Sequence, residues 1–121
     1  MIKNLSGMKT LKNRVQLIGN LGMDPEVKDL GGNRKMARLN LATTESYRGA
    51  DGKRKEDTQW HRIIAWGPLA SLAERYLRKG RRIAVEGKLV YRRYENKSGQ
   101  QRFVAEVVAT DFVMLDGRKE E

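Results

Sequence analysis

The sequence predicts an all-β fold with one short helix: a five-stranded Greek-key β-barrel of the OB-fold type, with the helix between strands 3 and 4. Two patterns carry that expectation. Apolar and polar residues alternate with period 2 in five stretches, and only one stretch has the period of a helix. Size is the third observation, since 121 residues support one domain with a single core.

In the first strand, Val15, Leu17 and Leu21 alternate with Gln16 and Asn20, and Gly19 and Gly22 leave room for a bend or bulge. Asp24-Pro25 opens a turn. Leu39 and Leu41 alternate with Arg38 and Asn40 in a half-buried second strand. The polar, Gly-containing stretch from Arg48 to Asp57 reads as a hairpin loop, and a third strand runs from Thr58 to Trp66.

Leu69, Leu72, Ala73, Tyr76 and Leu77 then fall at i, i+3, i+4, i+7 and i+8, one helical stripe. Pro68 suits the first helical position, Arg78 and Lys79 suit the negative end of the dipole, and Gly80 suits a left-handed cap. The fourth strand sets Ile83, Val85, Gly87, Leu89 and Tyr91 against Arg82, Ala84, Glu86, Lys88, Arg92 and Tyr94. A loop from Glu95 to Gln100 leads to a last strand from about Arg102 to Leu115. Tyr91, Phe103 and Tyr76 lie on apolar faces or the helix stripe and are expected in the core.

No Pro/Gly/Ser linker and no internal repeat interrupts the chain. The expected organisation is a flexible basic arm at residues 1–12, one OB-fold domain at 13–115 and a short polar end at 116–121. No run of about 18 apolar residues is present to span a membrane.

Lys and Arg number 25 against 15 Asp and Glu, a net charge of +10 that favours a polyanionic partner. The absence of cysteine excludes disulfides, thiolate metal sites and thiol catalysis. With His61 as the one histidine, the usual nucleophile–base pairs and His-rich metal sites cannot be assembled. Gly19-x-x-Gly22 lacks the Lys of a phosphate loop and the third Gly of a dinucleotide fingerprint. No enzyme, cofactor or metal is expected.

A site for single-stranded nucleic acid needs flat π-surfaces for the bases with cations beside them. Period-2 geometry puts Trp60, Arg62, Ile64 and Trp66 on one face of the third strand, and His61, Ile63 and Ala65 on the other. Tyr94 shares the face of Lys88 and Arg92, opposite a complete apolar face. Tyr47 ends the second strand next to Arg48. Arg78 to Arg82 forms a dense cationic turn, and Arg92-Arg93 precedes Tyr94. An OB-fold RNA or primosome-type binder, a metal-dependent nuclease and a purely structural oligomer are the competing expectations.

Several longer motifs add a family resemblance. Asn13 to Lys28, Leu41-Ala-Thr-Thr-Glu-Ser46, Thr58-Gln-Trp-His-Arg62, Tyr76-Leu-Arg-Lys-Gly80, Val85-Glu-Gly-Lys-Leu89 and Tyr94 to Phe103 together resemble bacterial single-stranded DNA-binding proteins, over about residues 13–115. The resemblance implies an OB-fold homotetramer that wraps single-stranded DNA without sequence preference, in replication, recombination and repair, in the nucleoid of the cytoplasm. It implies stacking on Tyr47, Trp60, Trp66 and Tyr94, backbone contacts from Arg62, Arg78, Lys79, Arg92 and Arg93, and a subunit-interface place for His61. The family more often has Trp where Tyr47 and Tyr94 stand, and Phe where Trp66 stands. Two of its commonly basic positions are Pro68 and Val90 here. The family usually continues into a Gly/Pro/Gln-rich linker with an acidic tip. This sequence stops at Arg118-Lys-Glu-Glu121, as a truncated core or a natural short form, so tail-mediated recruitment of replication and repair partners is not expected.

Overall fold

The computed structural model describes residues 11–115. Most of the expected arm at 1–12 and the polar end at 116–121 lie outside the described residues. Six strands and one helix follow in order: β1 (Val15–Leu21), β2 (Glu26–Asp29), β3 (Lys35–Arg48), β4 (Arg54–Trp66), α1 (Pro68–Tyr76), β5 (Arg82–Glu95) and β6 (Gln101–Met114). Neighbours hydrogen-bond in the order β1-β5-β6-β4-β3-β2. A further antiparallel pairing of β1 with β3, through Asn20↔Ala42 and Leu21↔Leu41, closes five of the strands into a barrel. β4 and β6 meet in parallel at Ile63↔Val107 and Ile64↔Val108. With α1 between β4 and β5, this is the expected OB-fold.

Closure requires a close backbone approach at one point. A Cβ on Gly19 would stand 2.0 Å from the Ala42 carbonyl oxygen, so a side chain there would force β1 off β3. The interior is filled by Leu39, Leu41, Ile63, Ile83, Val85 and Val107, with Leu77 sealing the helix end. Each fully buried Leu or Ile contributes roughly 1.5–3 kcal/mol relative to exposure.

The structure departs from the sequence expectations in five places. The short edge strand β2 was not anticipated; it pairs with β3 from Glu26↔Arg38 to Asp29↔Lys35 and is too brief for a period to show. Arg54 to Asp57 belong to β4 rather than to a loop, opposite Arg48 to Glu45. Both faces of that stretch are exposed, so its polarity reports solvent contact and says nothing against pairing. The turn itself is narrower, with Gly49 N–H donating to the Lys53 carbonyl (2.8 Å).

The helix buries Ala70, Ala73 and Leu77, while Leu72 and Tyr76 on the flank of the stripe stay exposed. Gly80 is left-handed (φ 89°) but lies beyond the helix end, donating to the Leu21 carbonyl (2.8 Å) in the turn into β5. Finally, Tyr91 and Phe103 are 68% and 67% exposed rather than core. β5 and β6 continue past the barrel as a hairpin, where the inward phase has no opposing layer to cover it.

Candidate nucleic-acid interface

β3, β4, β6 and β5 lie side by side, so their outward residues form one continuous curved face. On β4, Ile63 and Ala65 are fully buried while Trp60, Arg62 and Trp66 of the alternate phase reach solvent. Across the parallel rungs, β6 adds Glu106 and Val108, and β5 adds Val90 and Arg92. Met36 and Arg38 of β3 and Glu26 and Lys28 of β2 complete an open groove of about 580 Å³, shared with Arg62, Ile64 and Trp66. Trp60 precedes Arg62 and Tyr94 follows Arg92 by two residues on the same outward phase, so the platforms flank the groove along both strands. Relative exposures of 58% for Trp60, 44% for Trp66 and 45% for Tyr94 leave ring faces available for stacking.

Trp60 has a defined seat. A Cβ on Gly22 would lie 2.5 Å from Trp60 Cζ3 and 2.8 Å from Cη2, so the indole rests where a side chain would otherwise project. Gly22 N–H donates to the Asn40 carbonyl (2.8 Å), which fixes this floor beside the barrel seam.

The other expected contact residues are not in the groove. Tyr47 is exposed, but its register partner is Lys55 and it belongs to the alternate phase from Trp60, near the hairpin end. Arg93 projects on the phase opposite Arg92, its guanidinium 5.3 Å from the Phe103 ring centroid. Arg78 turns back on the helix terminus, where Nη1 donates to the carbonyls of Glu74 (2.8 Å) and Leu77 (2.6 Å). Lys79 donates its backbone N–H to Asp24 Oδ1 (2.8 Å), two residues beyond the Gly22 seat. Arg78 and Lys79 thus lie in the turn between α1 and β5, tied through Asp24 to the chain that follows the Gly22 seat. His61 is partly buried; its Nε2 lies 2.9 Å from Thr43 Oγ1, beside Gln16 and Ile18 of β1.

One groove residue escapes sequence reasoning. Glu106 is 5% exposed and is the sole buried charged residue among those described. Its Oε1 accepts from Arg92 Nε (3.3 Å), and its Oε2 accepts from Arg92 Nη2 (2.8 Å). Arg62 Nη1 stands 3.6 Å from that same Oε2. The Arg92 hydrogen bonds hold the Glu106 carboxyl below its ordinary value of 4.5 against the opposing effect of burial, with Arg62 adding to the depression. The signal in the sequence was a lone acid within the apolar run Val104-Ala-Glu-Val-Val108, on the strand that pairs with Arg92. Arg38 is likewise paired, with Glu26. The groove therefore sets Lys28, Arg38, Arg62 and Arg92 against two carboxylates and remains net positive.

The model of the Single-strand binding protein family matches residues 12–115. The chain belongs to that family. Among curated relatives, "Single-stranded DNA-binding protein 1" of Chlorobaculum tepidum is 41% identical over 107 residues, covering 88% of this chain and 66% of that protein. The "Single-stranded DNA-binding protein" of Xylella fastidiosa is 41% identical over 108 residues, with 89% and 66% covered. The chain thus spans just under two thirds of the length of these relatives. Among solved structures, the Plasmodium falciparum SSB complex with ssDNA superposes with a TM-score of 0.80 at 35% identity, covering 87% of this chain and 96% of that one. A deletion mutant of the single-stranded DNA binding protein from Thermus aquaticus gives 0.76 at 32% identity, covering 88% and 52%. For this member of the single-strand binding family, the matched residues contain the whole barrel and every groove residue named above.

Proposed function

We propose that this chain binds single-stranded DNA without sequence preference, as a non-catalytic coat for strands opened in replication, recombination and repair. The observation that carries the reading is the meeting of Trp60, Trp66 and Tyr94 with Arg62 and Arg92 along one outward groove face. Unpaired bases stack on the rings, while the phosphates follow the cations between them. Every base has a π-face, so such a site is indifferent to sequence. Duplex DNA keeps its bases stacked on one another and cannot use the platforms. Family membership and likeness to a structure described as a complex with ssDNA support the same ligand.

Tyr47 and Arg93 on the hairpins, with Arg78 and Lys79 in the turn after α1, lie beyond the groove and extend the path of a longer strand. That path wraps a homotetramer in which residues 13–115 of each copy form the binding domain. His61, held by Thr43 beside the exposed Ile18 of β1, belongs to a subunit interface in this reading. The nucleoid of the cytoplasm is the corresponding compartment.

The test is a Trp60→Ala/Tyr94→Ala double variant titrated with oligo-dT. Stacking is worth roughly 1–3 kcal/mol per base, so loss of two platforms weakens binding by about two orders of magnitude. Wild-type affinity in that variant refutes the reading. Light scattering of the protein with and without oligo-dT tests the tetramer directly.

A further inference from the structure

An acid at the centre of a polyanion site opposes binding by its charge alone, so Glu106 needs a reason to be there. It is buried beneath the groove floor, and both of its oxygens face guanidinium groups from two different strands. Arg92 is engaged along its Nε–Nη2 edge in a bidentate fork, a geometry that fixes the guanidinium plane. Its Nη1 edge is left for an external acceptor, and the side chain is 52% exposed. Arg62 approaches the same Oε2 at 3.6 Å and is 39% exposed. Without the carboxylate, two like charges facing one groove would repel each other and sweep through many rotamers.

We propose that Glu106 is a positioning residue for strand binding: it clamps Arg92 and Arg62 side by side so that their outer edges present a fixed, paired phosphate seat between Trp66 and Tyr94. This rests on the groove reading given above. It assigns the site a net charge of +1 in place of +2, so the chain gives up part of its long-range attraction for a defined geometry. Arg is suited to such a seat and Lys is not, because only the planar fork can serve a carboxylate on one edge and a phosphate on another.

Charge subtraction and positioning predict opposite signs for Glu106→Gln. If the carboxylate only offsets charge, the variant binds oligo-dT more tightly and its affinity falls more steeply with salt. If it positions, the variant binds about tenfold more weakly at moderate salt, within the range of coupling between neighbouring groups. A double-mutant cycle with Arg92→Ala separates positioning from loss of fold. In the Arg92→Ala background, Glu106→Gln costs markedly less affinity, because one of the two guanidiniums it aims is already gone. Thermal melts of each variant are run in parallel, and Glu106→Asp, which keeps the charge with a shorter reach, restores part of the affinity. Tighter binding by Glu106→Gln, or equal losses in both backgrounds, overturns the proposal. If Arg62→Ala/Arg92→Ala itself leaves affinity unchanged, the groove reading fails. If that variant weakens binding while Glu106→Gln does not, the positioning role alone fails.

Discussion

Replacing Gly22 with Ala should impair binding while leaving the barrel intact. The backbone at Gly22 has no positive φ, so alanine is sterically admissible there. The new methyl would stand 2.5 Å from Trp60 Cζ3 and 2.8 Å from Cη2. Carbon atoms pack at roughly 3.5–4.0 Å, so the indole must move outward by about 1 Å or more. Those atoms are the far end of a rotatable, half-exposed side chain, and an off-rotamer χ costs roughly 0.5–1.5 kcal/mol. The expected stability loss therefore stays below about 1.5 kcal/mol.

The binding loss approaches that of removing one platform, up to roughly 1–3 kcal/mol or about 5- to 150-fold in Kd. Quenching of intrinsic tryptophan fluorescence by oligo-dT measures the affinity, and a melt followed by circular dichroism measures the fold. Gly19→Ala is the matched control. Its methyl would meet the Ala42 carbonyl oxygen at 2.0 Å, and backbone cannot swing aside, so stability falls by roughly 1–3 kcal/mol or more. Equal affinity of Gly22→Ala and wild type, with Trp60→Ala impaired, would refute the claim that the seat aims the ring. A Gly22→Ala barrel as unstable as Gly19→Ala would refute the claim that the ring is free to move.

Three further outcomes can be checked on the same residues. Because the folded Glu106 carboxyl titrates below its ordinary 4.5, its contribution to stability is fully present above that pH and is lost as pH falls through the folded value; the stability gap between wild type and Glu106→Gln should hold constant above that window and change only within it. Tyr91→Ser and Phe103→Ser should each shift stability by less than about 1 kcal/mol, since exposed residues and an exposed cation–π pair are worth no more, whereas Ile63→Ala should cost roughly 2–5 kcal/mol. The log–log salt slope of oligo-dT affinity should be about −0.7 per phosphate neutralised, and in Arg62→Ala/Arg92→Ala it should be shallower by about that amount for each phosphate no longer neutralised.

Strand phase was legible in the sequence wherever a strand borders the core. Ile63 and Ala65 against Trp60, Arg62 and Trp66, and Ile83 and Val85 against Tyr94, fall as alternation dictates. What alternation cannot report is where the core ends along a strand. Tyr91 and Phe103 keep the inward phase yet stand in solvent, because the barrel no longer faces them. Helical period has the same limit, since it placed Tyr76 on the stripe without showing that the buried line runs through Ala70, Ala73 and Leu77. Tyr47 and Arg93 lay beside the right neighbours in sequence but on the other phase of their hairpins. The Glu106 clamp joins residues from β4, β5 and β6, and only the register of three strands brings it together.

β5 is 14 residues long, about 45 Å, and changes its task midway. From Ile83 to Leu89 its inward side chains hold the barrel together; from Tyr91 to Glu95 they cover no core. Substitutions at Tyr91, Arg93 and Tyr94 are thereby released from the melting temperature and answer only to the ligand, whereas Arg92 stays tied to buried Glu106. A library randomised at Tyr91, Arg93 and Tyr94 can therefore retune strand affinity on an unaltered scaffold, whereas the same freedom at Ile83, Val85 and Leu89 would be spent on keeping the protein folded.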